Sequence, residues 1–279
     1  MKGCNLAMGS FDGIHMGHRK ILAFADSVLT FTPHPRIVLG IERGRFILTP
    51  DEEKKRIFDE MGIDAIFLKF DEKIAQMEPV EFVEKVLMDI KPSRVVIGDD
   101  HRFGKEKKGD PGMLKELGKR FGFDVVVVPA VMHGGERVSS TRIRRLLKEG
   151  KVKEASILLE RNYTLSGVVK RGEGLGRRIG FPTANLEIPD PNKLIPGDGV
   201  YKVRVKVNEE VFMGMMHIGK NLKGTSSIEV HILGFDGELY GKKIEVEFLR
   251  KIRDVFPFGD EESLKRQLEK DRAEITKEV

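Results

Sequence analysis

The chain has 279 residues, 40% hydrophobic and 33% charged, a length suited to two domains of ordinary size. No apolar run approaches the roughly 20 residues that cross a bilayer, and the opening "MKGCNLAMGS" lacks the apolar segment and cleavage site of a secretory signal, so a cytoplasmic protein with no membrane partner is expected. The net charge of +5 comes from 49 basic residues interleaved with 44 acidic ones, which suits anionic small molecules and leaves no massed basic, aromatic surface for nucleic acid; a lone cysteine, Cys4, allows no intramolecular disulfide and reads as a small strand residue.

The first half alternates short β-branched runs with helical patterns. "NLAM" before Gly9, "SVLTF" (27–31), "AIFLKF" (65–70), "RVVIGDD" (94–100) and "DVVVVPAV" (124–131) are apolar enough to be strands covered on both faces. Helical spacing marks 18–25, 50–62, 79–90 and 112–122; Thr49 and Asp51 offer caps to the second and Gly62 a stop. The alternation predicts a parallel α/β sheet. "GKEKKGDPG" (104–112) is expected to be a mobile loop, and 139–160 a helical stretch broken at Gly150.

From Tyr163 the texture changes to valine- and isoleucine-rich runs punctuated by glycine, with turns at "NEE" (208–210) and "FDGE" (235–238). This predicts a small antiparallel β-barrel, closed by an amphipathic helix over 260–275 with acidic residues in its first turn. The domains are expected at 1–158 and 159–279.

Two constellations carry chemistry. In "GSFDGIHMGH" (9–18), glycines and two histidines occupy a strand-to-helix turn. Glycines let backbone N–H groups approach a phosphate, and histidines can donate hydrogen bonds to phosphate oxygens and carry part of the charge that builds during cleavage. A spacing of three places His15 and His18 on one helical face. "TFTPHP" (30–35), "GDDHRFG" (98–104) and "RVSSTRIRRLL" (137–147) follow strands or open a helix, and so fall at the carboxyl edge where an open α/β sheet gathers ligand groups. Read from the residues alone, Asp100 also fits a turn former and Arg144 a solvated helix face.

The H-x-G-H pattern resembles nucleotidyltransferases and aminoacyl-tRNA synthetases of the HIGH superfamily. With the three later segments in the same order, the half-chain resembles the adenylyltransferase module of the bifunctional riboflavin kinase/FAD synthetase family. That resemblance implies a Rossmann-like nucleotidyltransferase domain in which His15 and His18 are catalytic and contact ATP phosphates. Gly9, Phe11, Asp12 and Gly13 would shape the ATP turn, while Asp100, Arg137, Ser140, Thr141 and Arg144 would serve ATP or its transferred group. His34 would lie near flavin.

The second constellation is "GVVKRGEGLGRRIGFPTANLEIP" (167–189). Its glycines and paired arginines, among them Gly172, Gly176, Arg177 and Gly180, suit a triphosphate, and Pro182 stiffens the approach to Thr183 and Asn185. A hydroxyl and an amide oxygen two residues apart can serve one Mg²⁺ where the chain turns suitably; a strand-end turn capped by Thr and Asn is the plainer reading. Together with "IEVHILGFDGELYGKKIEVEFLRKIRD" (228–254) the stretch resembles riboflavin kinase. The resemblance implies ATP and Mg²⁺ at this loop, with Thr183 and Asn185 as metal ligands. It makes Glu229, which alternation alone would place facing solvent, the general base, and puts Arg253 beside flavin.

Four places depart from the family pattern. Few residues separate His18 from Thr30, so the first crossover is short. His101 stands where the family has phenylalanine, His217 where "GMxNIG" has asparagine, and "GKNLKGTSS" (219–227) is shortened and lacks Pro-Thr. The expectation is a monomeric enzyme that converts riboflavin to FMN and FMN to FAD with release of pyrophosphate. The alternatives are a riboflavin kinase with a non-catalytic N-terminal domain and a flavin- or RNA-binding regulator without turnover.

Overall fold

Short β-branched runs between glycines form strands, and the stretches with 3.6-residue apolar spacing form helices; the computed structural model describes residues 3–171, 175–220 and 224–277. Packing divides the chain into two units, Met1–Ser140 and Thr141–Val279.

The first unit runs β1 (Asn5–Met8), α1 (Met16–Leu22), β2 (Ser27–Thr32), α2 (Pro35–Val38), α3 (Asp51–Glu60), β3 (Asp64–Lys69) and α4 (Glu72–Ala75). The helix expected over 79–90 follows as α5 (Pro79–Phe82), a π turn at Val83–Leu87 and α6 (Met88–Ile90). Then come β4 (Arg94–Gly98), α7 (Pro111–Phe121), β5 (Asp124–Val128) and a two-residue ribbon, β6 (Met132–His133) with β7 (Glu136–Arg137). The five long strands are parallel, in the order β3-β2-β1-β4-β5. Both faces are covered: Leu6 and Met8 pack with Leu29, Val95 and Ile97, while Ala7 packs with Val28, Ile57 and Phe58 on the other side. The chain winds from β1 outward to β3 and then returns to β4, so the direction of winding reverses between β1 and β4. Open sheets bind ligands at the carboxyl side of such a reversal.

Local details refine the sequence reading. The short crossover is real and sufficient, because the seven-residue α1 still delivers β2 parallel to β1 with Leu6 opposite Ser27. Helix α1 starts two residues earlier than its apolar pattern because His15 caps it. Neither expected cap holds the N-cap place of α3, which falls to Pro50, and the Asp51 carboxylate pairs with Lys54 at 2.8 Å. The 104–112 loop is a defined turn in which Phe103 and Gly109 exchange backbone hydrogen bonds of 3.1 and 2.9 Å.

Helix α8 (Ser140–Lys148) starts at the last residue of the first unit and runs into the second, where α9 (Val152–Leu159) follows it, the two separated at Gly150 as expected. Strands β8 (Tyr163–Lys170), β9 (Ala184–Glu187), β10 (Gly199–Val207), β11 (Glu210–Lys220), β12 (Ser226–Ile232) and β13 (Lys243–Arg253) close into an antiparallel barrel. Its order is β10-β11-β12-β9-β8-β13, with β13 pairing back to β10. A one-turn helix, α10 (Leu175–Arg178), precedes β9. The last helix, α11 (Glu261–Thr276), is capped by Asp260, which accepts the Ser263 N–H at 2.7 Å. Leu264, Leu268 and Ile275 of α11 lie against Phe181, Met213 and Met215, covering part of the barrel's outer face.

Candidate active sites

The first site grows from the turn after β1. Gly9 extends the ladder through its N–H to the Leu29 carbonyl at 3.1 Å, after which Phe11 (φ 46°), Gly13 (φ 97°) and Ile14 (φ 40°) take left-handed or neighbouring conformations. Such backbone is costly for Phe and Ile, and burial of both side chains, at 1% and 0% exposure, holds it in place. Asp12 is turned inward as well. Its Oδ1 accepts the N–H groups of Leu48 (2.9 Å) and Thr49 (3.0 Å), and its carbonyl accepts the Ser140 hydroxyl at 2.7 Å.

On this fixed turn the two histidines lie face to face. Their ring centroids are 3.7 Å apart and 15° from parallel; His15 Nδ1 accepts the His18 N–H, and Phe11 meets His18 edge-on at 5.2 Å. A side chain at Gly17 would press on the His15 ring at 3.2 Å.

Beside this turn, after β4, Arg137 reaches Asp99 Oδ1 at 2.6 Å and Asp100 Oδ1 at 2.9 Å. Burial acts to raise the Asp99 carboxyl, but the Ala130 N–H and the Arg137 guanidinium outweigh it and hold the group below the ordinary carboxylate range. Asp100 and Arg137 are thus brought together, and Asp99 joins them although sequence reasoning passed it over; the doubled Asp of "GDD" was the available signal. His101 stacks on Phe103 with its Nε2 enclosed and unbonded, and burial, assisted by Arg102, pushes its pKa down to about 4. His34 is engaged in its own turn, where Nδ1 accepts the Arg36 N–H at 3.1 Å and the ring meets Phe46 edge-on. Thr141 and Arg144 lie on α8, in the second unit. Arg144 is buried, which removes the solvated-face reading.

The second site is set by strand register. Residues paired directly across antiparallel strands share a face, and one such row runs Arg253 (β13), Val200 (β10), His217 (β11), Glu229 (β12), Asn185 (β9). It lies on the outer face, because the alternate residues Met216 and Val230 fill the barrel. Glu229 Oε2 accepts the Thr183 hydroxyl at 3.1 Å, so the proposed base and both expected metal ligands converge from β12 and β9.

The loop before β9 is pinned by contacts that the sequence did not announce. His231, two residues from Glu229, bonds the Pro182 carbonyl through Nδ1 at 2.8 Å; a carbonyl only accepts, so this nitrogen carries the proton. Phe181 is held between His231 (5.3 Å) and Arg272 (5.2 Å). Gly176 is required where it stands, since a Cβ there would strike the Phe181 carbonyl oxygen. Arg177 and Gly180 belong to the same turn, with Gly180 N–H bonded to the Arg177 carbonyl at 3.3 Å. Gly172 lies outside the described residues.

At the other end of the row, Arg253 donates to both oxygens of Asp271 from Nε (3.1 and 3.0 Å) and again from a terminal nitrogen (2.8 Å). Gln267 donates to the same carboxylate, and Phe256 and Phe258 approach the guanidinium at 4.8 and 5.8 Å. Asp271, 1% exposed, is a second residue that sequence reasoning missed. His217 is half-buried, and burial lowers its pKa; Glu229 and Asp198 oppose that shift and Arg253 adds to it.

An open α/β unit with a histidine turn at its winding reversal, joined in one chain to a barrel with a hydroxyl-held carboxylate, defines a group-transfer enzyme with two separate sites. The family models agree with that division: FAD synthetase matches residues 1–142 and riboflavin kinase matches 159–279. The chain belongs to the bifunctional riboflavin kinase/FMN adenylyltransferase family. A relative of that name from Listeria monocytogenes is 37% identical over 95% of this chain and 89% of its own; one from Bacillus subtilis is 33% identical over 96% and 90%. A crystal structure described as a macrolide-efflux protein from Streptococcus pneumoniae superposes with a TM-score of 0.87 at 32% identity, covering 98% of this chain and 94% of that one. Among the described residues of this chain no helix is long and apolar enough to cross a membrane.

Proposed function

We propose that the chain phosphorylates riboflavin to FMN in the barrel, assigned to residues 159–279, and adenylylates FMN to FAD in residues 1–158. In the kinase step Glu229 takes the proton from the ribityl hydroxyl as that oxygen bonds the γ-phosphorus of ATP and ADP leaves. Thr183 orients the carboxylate. Thr183 and Asn185 offer neutral oxygen donors suited to Mg²⁺, an ion that keeps water and phosphate ligands and would neutralise phosphate charge here. Arg253, fixed by Asp271, is positioned for the flavin, while Gly176, Arg177, Gly180 and Pro182 shape the nucleotide loop. In the second step a phosphate oxygen of FMN attacks the α-phosphorus of another ATP and pyrophosphate departs. His15 and His18 donate hydrogen bonds to the phosphates, with Asp100 and Arg137 beside them and Ser140, Thr141 and Arg144 serving the nucleotide. We place the protein in the cytoplasm as a monomer acting on small molecules without nucleic acid.

The convergence of Thr183, Asn185 and Glu229 on one patch of the barrel carries this reading. The test is chromatography of products formed from riboflavin, ATP and Mg²⁺, with a parallel reaction started from FMN. FAD is expected in both. FMN alone from riboflavin, with supplied FMN untouched, would reduce the first unit to a scaffold; no conversion in either reaction would favour the regulator.

A further inference from the structure

Two groups in the barrel row have unused capacity. Glu229 engages only Oε2, with Thr183, and Oε1 carries no hydrogen bond among the described residues. His217 sits directly opposite on β11, and neither of its ring nitrogens is hydrogen-bonded there. Directly opposed residues have Cβ atoms about 4.5–5.5 Å apart, a span that an imidazole and a carboxylate bridge with a change of rotamer. The groups facing His217 are Glu229 on β12, Arg253 on β13 and Asp198 just before β10. Burial favours the neutral ring, which has one N–H to give. Asparagine is another side chain with an N–H donor.

We propose that His217 is a positioning residue for the kinase step, donating a hydrogen bond to Glu229 Oε1 so that the carboxylate, held at both oxygens, turns its remaining lone pair to the riboflavin hydroxyl. This rests on the barrel's assignment as the kinase. It differs from a packing role in what it makes pH-dependent. Protonation of His217 puts a positive charge beside the base and lowers its basicity, so kinase turnover carries an acid-side ionisation that belongs to His217.

The test uses the full chain with His217→Ala and His217→Asn. Kinase kcat and KM are measured from pH 5 to 9 with riboflavin, ATP and Mg²⁺; adenylylation of supplied FMN reports on integrity of the rest of the chain. His217→Ala should lower kinase kcat at least tenfold at pH 7.5, with riboflavin KM within twofold and adenylylation unchanged. His217→Asn should recover kcat to within threefold of wild type. In both variants the acid-side fall of log kcat that belongs to His217 should be lost, because that ionisation has gone. A His217→Ala enzyme with wild-type kcat and acid-side fall, or a loss confined to KM, overturns the positioning role while leaving the kinase assignment intact. A wild-type protein that adenylylates FMN yet never phosphorylates riboflavin overturns both.

Discussion

The two units place their reactive groups by opposite means. In the α/β unit the histidines stand on a strained turn whose shape depends on two buried apolar side chains and on Asp12, which ties residues 12, 48–49 and 140 together. In the barrel the corresponding groups stand on regular strands, and ladder register alone sets Asn185, Glu229 and His217 side by side. A loop-built site depends on contacts well away from it, whereas a ladder-built site tolerates loss of one side chain with its neighbours still in place.

That contrast is tested most strongly by crossing the two chemistries. Glu229→Ala should reduce FMN formation by about 10³-fold, within the range typical of removing a general base, and leave FAD formation from supplied FMN within twofold. His15→Ala with His18→Ala should do the reverse, stopping FAD formation while FMN accumulates from riboflavin. Product chromatography reads both. Loss of both activities in either variant, with circular dichroism unchanged, would mean that the sites are not independent.

A smaller effect separates the two arginine–carboxylate clusters. Arg253–Asp271 is nearly enclosed, with side-chain exposures of 16% and 2%, whereas Arg137–Asp99 stands at 41% and 40%. Removing one partner of a buried pair strands a charge and costs about 3 kcal/mol; an exposed pair contributes up to about 1 kcal/mol. Urea denaturation should therefore show a large loss for Asp271→Ala and a small one for Asp99→Ala. Riboflavin KM should rise in Asp271→Ala, since Arg253 loses its fixed orientation. Equal losses would remove the distinction between the clusters.

Much of this was legible in the sequence because it is local. Apolar runs of strand length alternating with helical spacing gave the parallel sheet, and the valine-rich runs gave the barrel. Both motifs stand in unbroken segments, "GSFDGIHMGH" and "GFPTANL". The missed features are those fixed by pairing at a distance. Asp12 is named in the turn, but its partners appear only when the chain returns at Leu48, 36 residues on. Asp271 reads as one more charge on an amphipathic helix until α11 docks against the barrel beside Arg253. His231 acquires its partner only because β12 pairs with β9 out of chain order, and that same pairing aligns Glu229 with Asn185.

A pH-dependent effect falls on His101, which stacks on Phe103 after β4. Its Nε2 is enclosed without a hydrogen-bond partner, an arrangement that costs about 1 kcal/mol or more relative to an apolar ring of similar shape. The shift to about 4 gives the cost a pH dependence. For a histidine whose pKa is lowered on folding, the unfolded chain binds the proton first. Stability is therefore unaffected above pH 6.5, falls as pH drops through the window from 6.5 to about 4, and levels off below it. His101→Phe should raise stability by about 1 kcal/mol at pH 7, and by roughly 2 kcal/mol more at pH 5, where 1.5 pH units of that window have been crossed. Denaturant midpoints at the two pH values measure the difference. A gap that stays constant with pH would show that the ring takes up a proton as easily in the folded turn as in the unfolded chain, and that the turn after β4 opens to water far more readily than the fixed turn after β1 beside it.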